Sequence, residues 1–380
     1  MFLFQLGREY KLSIAEILNV FPDGNIVFFD QKNLILDHID EKTILERSPY
    51  LGGSIKISEV SKYRNYDEIY DYIAERASEK GGKFQYGLSV FGVRSDLKKQ
   101  LTTIKKYLKE KSISSRFVNQ DFSNVSSATI IGEKLVQKGS DFTLISSRDG
   151  GDIWLGKTIW VQDIEGYSKR DYGKSRDMQI GMLPPKLSQM MINIAGGEHI
   201  YDPFCGLGSL LIEAQNMGKQ SIYGSDFNPE MVQLTAKNTG SHNIFLFDAR
   251  DMAENNIFEK QTIDSIVTEG FLGEIMTKKN ISHERISIQK KNLSKLYTKF
   301  FSGLQSIGFD GVMVISFPFW ELEKKYVYFN EIYDILEKYC KIQDIFPKNS
   351  ELRASKLGSL LYKRDTQLVG REIFKLKIKN

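Results

Sequence analysis

Cysteine is nearly absent from this chain: Cys205 and Cys340 are the two it has in 380 residues, and they stand far apart with no second pair. That excludes a disulfide framework and a zinc cluster of the usual spacing. His199, His242 and His283 are too scattered to suggest any other metal site, so none is expected. Long apolar runs are also missing, and none approaches the roughly 18 to 20 residues that cross a bilayer. The opening MFLFQLGREYKLS has no basic region ahead of its apolar residues, so the expectation is a cytoplasmic chain with no membrane partner. Charge of neither sign dominates: 52 Lys and Arg against 48 Asp and Glu leave a formal net charge of +4, which permits a nucleic-acid partner without demanding one. No fixed-period repeat or low-complexity tract is present, which removes solenoid and disordered classes.

What is present reads as an ordinary globular chain, 41% hydrophobic and 26% charged, and long enough for two or three domains. Residues 2–6 read as a strand, followed by a helix that Ser13 can cap, with Glu16 completing the capping-box spacing. A helix over 66–79 ends at Gly81 and Gly82, and the apolar and aromatic run 84–91 predicts a strand. Leu97, Leu101, Ile104 and Leu108 then mark one face of a helix over 97–111. Lys98, Lys99, Lys105, Lys106 and Lys109 lie elsewhere on it, either as a solvated surface or as a contact for phosphates. Strands are expected near 129–131 and 142–146. The segment DIEGYSKRDYGKSRD, residues 163–177, is rich in charge and glycine and reads as a connector or substrate-facing loop. The expected division is an N-terminal α/β subdomain over 1–60, a second domain over 61–160, and a third over 161–380 that begins with a linker of about 161–177.

From His199 the chain reads HIYDP, FCGLGS, LLIEAQNMG, the pattern of a strand, a glycine turn and a helix. Such a turn lets backbone N–H groups and a helix N-terminus approach a ligand closely. The next strand ends in Asp226, twenty residues after Gly206, where a carboxylate can accept from ribose hydroxyls. The dinucleotide pattern wants a third glycine, and Leu211 stands there after Gly206 and Gly208, which argues against NAD. S-adenosylmethionine, with no phosphate and an amino-acid tail, suits Asp202 as partner for its ammonium group. Asp248, after a third strand over 244–247, can accept from the adenine amino group. Any one of these acids could merely cap the helix that follows it, but three at successive strand ends point to a ligand, because open α/β sheets bind ligands at the carboxyl ends of their strands. Cys205, inside the turn, reads as a small pocket residue.

Taken together, RDMQIGMLPPKLSQMMINIA, YDPFCGLGSLLIEA, YGSDFNP and FDAR resemble the methyltransferases that modify the exocyclic N2 of guanosine in tRNA, in which an RNA-binding THUMP domain precedes the catalytic domain. The resemblance is strongest over 163–251 and weaker in the opening LGREYKLSIAEI and the closing GSLLYKRDTQLVGRE. It implies an α/β chain: a THUMP-like RNA-binding half, then a doubly wound, Rossmann-like class I methyltransferase domain that uses S-adenosylmethionine and acts on RNA, specifically tRNA. It implies that Gly181, Met182, Leu183, Pro184 and Lys186 pack beside the cofactor. Asp202, Phe204, Gly206, Gly208, Asp226 and Asp248 form the implied cofactor set. The need for a small activating subunit stays open.

The catalytic motif departs from the family. After the strand over 265–268 the family carries Asp-Pro-Pro-Tyr, and this chain carries Glu269-Gly270-Phe271-Leu272. An amine on a base is a poor nucleophile because its lone pair is delocalised into the ring. In the family pattern an acid and a backbone carbonyl accept its two N–H groups and aim the lone pair, while an aromatic ring stacks on the extruded base. Glu269 keeps the acceptor, Gly270 keeps a carbonyl without proline's rigidity, and Phe271 can supply the ring. Two rival readings remain: an N6-adenine methyltransferase of DNA, and a non-catalytic RNA-binding protein that retains the fold.

Overall fold

The structure, a computed structural model, describes residues 1–92, 96–147, 151–172, 183–255, 257–346 and 352–379. The described residues form, in order, β1 (Phe2–Leu6), α1 (Tyr10–Val20), β2 (Asn25–Phe29), β3 (Asn33–Asp37), α2 (Glu41–Arg47), β4 (Ser54–Tyr63), α3 (Tyr66–Lys80), β5 (Phe84–Phe91), α4 (Leu97–Glu110), β6 (Ser115–Phe117), α5 (Ser127–Gly132), α6 (Leu135–Lys138), β7 (Asp141–Ser146), β8 (Ile153–Val161) and α7 (Ile164–Tyr172). They continue with α8 (Pro185–Ala195), β9 (His199–Asp202), α9 (Ser209–Asn216), β10 (Ser221–Asp226), α10 (Pro229–Thr239), β11 (Ile244–Leu246), α11 (Ile257–Lys260), β12 (Ser265–Thr268), α12 (His283–Ser306), β13 (Val312–Leu322), β14 (Lys325–Tyr328), α13 (Glu331–Tyr339), β15 (Cys340–Ile342), β16 (Leu360–Tyr362) and β17 (Val369–Ile378). Two compact units result. The first holds residues 1–10, 23–49 and 54–168, and the second holds 11–22, 50–53 and 169–380.

The first unit is built on one eight-stranded sheet in the order β2-β3-β1-β4-β8-β7-β5-β6. The expected boundary at residue 60 does not divide it, because β4 runs through that position and pairs with β1 on one side and β8 on the other. Helix α4 follows the predicted apolar face: Leu101, Ile104 and Leu108 are buried, and Asp96 caps the helix by accepting from the N–H groups of Lys98 and Lys99. Residues 129–131, expected as a strand, belong to helix α5. Ser126 caps that helix by accepting from Thr129 N–H, which outweighs the β-branched run. The expected connector likewise contains helix α7, opened by Asp163 accepting from Gly166 N–H at 2.9 Å, and its remainder, 173–177, lies outside the described residues.

The second unit carries a sheet in the order β11-β10-β9-β12-β13-β17-β15. The first five strands are parallel, and β17 enters antiparallel between β13 and β15. This is an α/β, Rossmann-like arrangement. Its strand order reverses at β9, which has β10 on one side and β12 on the other, so the topological switch point lies between β9 and β12. Helix α12, capped by Ser282, buries Tyr297, Phe300, Phe301 and Leu304 against Phe317 of β13 and Phe374 of β17.

The capping box expected at Ser13 and Glu16 is not formed. Helix α1 begins at Tyr10, so both residues lie inside it and both are buried. Glu16 instead accepts from Gly52 N–H at 2.8 Å, Gly53 N–H at 2.7 Å and Asn193 Nδ2 at 2.8 Å, all within the second unit. Burial pushes its carboxyl up to about 7, against the opposing pull of these donors.

Candidate functional site

Four carboxylates stand at the carboxyl ends of four neighbouring parallel strands: Asp202 ends β9, Asp226 ends β10, Asp248 follows β11 and Glu269 follows β12. Local chemistry fixes each one. The glycine turn after β9 is tied to the next strand, since Cys205 N–H donates to Ser225 O at 3.0 Å and Gly206 N–H donates to Asp226 Oδ2 at 3.0 Å. The other oxygen of Asp226 accepts from Asn228 N–H at 2.9 Å. Gly206 has φ +50°, and a side chain there would point into open space. Gly208, at φ +79°, opens α9 and sits so close to α10 that a Cβ would lie 2.8 Å from Thr235 Cγ2. The position where a dinucleotide fold has its third glycine works differently here. Leu211 packs onto Gly224 of β10, where an added Cβ would lie 2.6 Å from its methyl, so the strand and not the helix supplies the small residue.

Asp202 is buried and accepts from Phe204 N–H at 3.1 Å. Burial, reinforced by the charges of Asp226 and Glu269, pushes its carboxyl up to about 7 despite the hydroxyl of Thr268 and the Phe204 N–H. A buried acid among such neighbours favours a cation beside it. Asp248 caps the short helical turn that follows β11, accepting from Arg250 N–H, and pairs with the Arg250 guanidinium, which holds its carboxyl below the usual range. Phe204 contributes to the packing as well as the turn: its half-buried ring lies 5.5 Å from Phe300 and 6.2 Å from Tyr297. Burial raises the Cys205 thiol far above its ordinary range, which makes it inert and consistent with a pocket residue. Leu183 is buried, Pro184 leads into α8 and Lys186 lies in its first turn, whereas Gly181 and Met182 lie outside the described residues.

The loop after β12 is held from three sides. Ser316 Oγ donates to Glu269 O at 2.5 Å, Tyr297 OH donates to Phe271 O at 2.9 Å, and Gln289 Oε1 accepts from Glu274 N–H at 3.0 Å. Between the first two, the Gly270 carbonyl takes no hydrogen bond from the described residues. Gly270 has φ +72°, and a Cβ there would meet Tyr297 OH at 2.6 Å and Ser316 O at 2.7 Å. Proline, locked near φ −65°, has no place in this conformation, so the loop follows a path of its own and not that of a proline-containing one. Phe271 is 41% exposed. Sequence reading missed Arg371 of β17: its Nε donates to Glu269 Oε1 at 2.5 Å across 102 residues of chain.

Residues 173–315 match the UPF0020 family, described as an RMKL-like methyltransferase domain. A relative named tRNA (guanine(10)-N2)-dimethyltransferase from Methanothermobacter thermautotrophicus is 36% identical over 92 residues, 23% of this chain and 27% of that protein. The protein of the same name from Pyrococcus abyssi is 25% identical over 182 residues, 46% of this chain and 51% of that one. This chain thus spans about half or less of these curated relatives. Among solved structures, that of TrmN from Thermus thermophilus aligns over 100% of this chain and 99% of its own, with a TM-score of 0.49 and 13% identity.

Proposed function

We propose that this chain is an S-adenosylmethionine-dependent methyltransferase of the UPF0020 type that methylates the exocyclic N2 of guanosine in RNA, with tRNA as the substrate class. The observation that carries the reading is the quartet Asp202, Asp226, Asp248 and Glu269 around the switch point and, beside Glu269, the Gly270 carbonyl, which takes no hydrogen bond from the described residues. The residues fit the cofactor: a buried carboxyl at Asp202 for an ammonium group, open space over Gly206, and the acids of β10 and β11 for the nucleoside. Asp226 and Asp248 already accept from the chain's own N–H groups, but each carboxylate has about four lone-pair sites and keeps capacity for a ligand. When bound, S-adenosylmethionine supplies an electrophilic methyl on a sulfonium that departs neutral.

The protein's part is to orient the amine. Glu269 Oε2 and the Gly270 carbonyl accept its two N–H groups, which weakens the lone pair's conjugation with the ring and aims it at the methyl, and the proton that the amine gives up passes to the Glu269 carboxylate or to water. Phe271 presents a ring for stacking on the extruded base. The substrate assignment draws on the names of the curated relatives, and no helix among the described residues is long and apolar enough to cross a membrane. A second reading, an RNA-binding protein without catalysis, is favoured by one observation, the pairing of Glu269 with Arg371. Nucleoside mass spectrometry of tRNA from a deletion strain and its parent separates the two. Loss of an N2-methylguanosine supports the enzyme, and unchanged nucleosides in all cellular RNA sink it.

Asp202 gives the cofactor site a pH signature. Its carboxyl is pushed up to about 7, and only the carboxylate attracts an ammonium group. Cofactor affinity should therefore be full above about 7 and weaken by up to ~10-fold per pH unit below it. Calorimetry from pH 8 to pH 5.5 checks this, with Asp202→Asn expected to bind weakly and with a flat profile. A wild-type profile that is already flat would remove Asp202 from the ammonium site.

The first unit is proposed to gather the RNA. Along α4, Lys98, Thr102, Lys105 and Lys109 follow one another at helical spacing and are all exposed. Lys98 Nζ lies 5.1 Å over the ring of Phe122, which is 43% exposed, and Lys105 Nζ lies 5.7 Å over Phe117. Cations flanking aromatic faces suit phosphates and unpaired bases together. Cutting the chain near residue 163 is a poor test, because residues 11–22 and 50–53 belong to the second unit. Lys98→Ala with Lys105→Ala in the full chain should instead lower RNA affinity at moderate salt. The slope of log K against log salt should fall by about 0.7 to 0.9 for each phosphate no longer neutralised, with cofactor binding unchanged. An unaltered slope would move the RNA surface elsewhere.

A further inference from the structure

We propose that Arg371 is the positioning residue of the acceptor carboxylate, replacing by a side-chain clamp the rigidity that the loop after β12 lacks without proline. The inference rests on the reading of Glu269 as acceptor. Glutamate carries one methylene more than the family's aspartate and so one more rotatable bond, and Gly270 at φ +72° adds freedom next to it. Something else must therefore hold the carboxylate. Arg371 does so with its Nε on Oε1 at 2.5 Å, which leaves Oε2 without a partner among the described residues.

Arg371 is itself held. It is 3% exposed, its Nη1 donates to Gln367 Oε1 at 3.2 Å, and its guanidinium lies 6.0 Å over the ring of Tyr362 on β16. It stands on β17 opposite Pro318 of β13, two residues beyond Ser316, whose hydroxyl fixes the Glu269 carbonyl. Adjacent strands thus grip the same residue, β13 by its backbone and β17 by its side chain. The planar fork of arginine fixes direction as well as charge, which lysine does not.

The charge matters too. Among the described residues, three titratable groups face Glu269: Arg371 from β17, Asp202 from β9 and Tyr297 from α12. Burial pushes the Glu269 carboxyl up and Arg371 opposes that. Without the guanidinium, Glu269 keeps its proton to higher pH, and the acceptor is lost over a range where the intact protein has it.

The test is single-turnover methyl transfer to tRNA from the deletion strain, from pH 5.5 to 9, for wild type, Arg371→Met, Arg371→Lys, Glu269→Ala and Glu269→Gln with Arg371→Met. Cofactor and RNA affinities are measured alongside. Arg371→Met should lose at least ~10-fold in the plateau rate and shift the acid limb of the profile upward, with both affinities within about 3-fold of wild type. Arg371→Lys should restore the position of the limb but only part of the plateau. The double variant, with no carboxylate to titrate, should lack the shifted limb. A slow Arg371→Met with an unshifted limb, or one with wild-type rates, overturns the proposal. If Arg371→Met does not fold, the limb and plateau of Arg371→Lys decide: equality with wild type in both overturns it. An inactive Glu269→Ala beside a wild-type profile in the arginine variants fails Arg371 alone. A fully active Glu269→Ala fails the acceptor reading and this one with it.

Discussion

Glu269→Ala is expected to lower single-turnover methyl transfer by on the order of 100-fold or more, the scale of lost positioning, while cofactor affinity stays within a few-fold of wild type. The separation follows from where the residue stands. Glu269 lies directly after β12, on the far side of the switch point from the glycine turn, and among the described residues its hydrogen bonds go to Ser316 and Arg371 and not to Asp202, Gly206 or Asp226. Removing its side chain leaves the hydrogen bonds of the proposed cofactor residues in place and takes one of the two proposed acceptors from the amine. Glu269→Gln keeps an amide oxygen and should retain part of the rate. Loss of the carboxylate also leaves the buried Arg371 guanidinium without its charged partner, so thermal melts must accompany the kinetics. A variant that folds, binds cofactor and transfers methyl at the wild-type rate removes Glu269 from the chemistry.

Much of the proposed cofactor site is locatable in sequence because its parts are local. A strand, a glycine turn and a helix fall within one short stretch, and the twenty-residue step from Gly206 to Asp226 is the step across one β-α-β unit, closed here by the Gly206 N–H on the Asp226 carboxylate. The acceptor loop is locatable for the same reason, since a strand followed by an acid can be read in a few residues. Arg371 cannot be found that way. Its pairing depends on β17 entering the sheet beside β13, a fact of topology, and the fragment VGRE carries no spacing that points to Glu269. Glu16 shows the opposite failure: a local pattern, Ser13 with Glu16, looks complete, yet the carboxylate is taken by Gly52, Gly53 and Asn193 from distant parts of the chain. Residues 127–132 mislead because the β-branched Thr129, Ile130 and Ile131 suggest a strand more loudly than the capping serine before them suggests a helix.

The other large effect is expected in the first unit. Lys56 and Asp141 form an ion pair at 2.7 Å with side chains essentially inaccessible to solvent, joined by Ser89 Oγ at 3.3 Å from the ammonium and by the Thr158 hydroxyl donating to the same carboxylate oxygen at 2.5 Å. The second oxygen of Asp141 has no partner among the described residues, and it sits where a Cβ on Gly87 would lie 2.8 Å away. Such a carboxylate depends on its one cation. Lys56→Met should therefore destabilise the first unit by about 3 to 5 kcal/mol, the scale for stripping one partner from a buried pair. Lys56→Met with Asp141→Leu should recover much of that, because no charge is then left behind, although Thr158 loses its acceptor. Urea unfolding of the full chain should resolve an early transition in the single variant, and the two units predict how function divides. RNA affinity should fall with the first unit, while cofactor affinity, built wholly from residues of the second, should hold until that unit melts. Simultaneous loss of both in Lys56→Met would show that the cofactor site depends on the sheet that carries the lysine helix, and that the division of labour between the units is wrong.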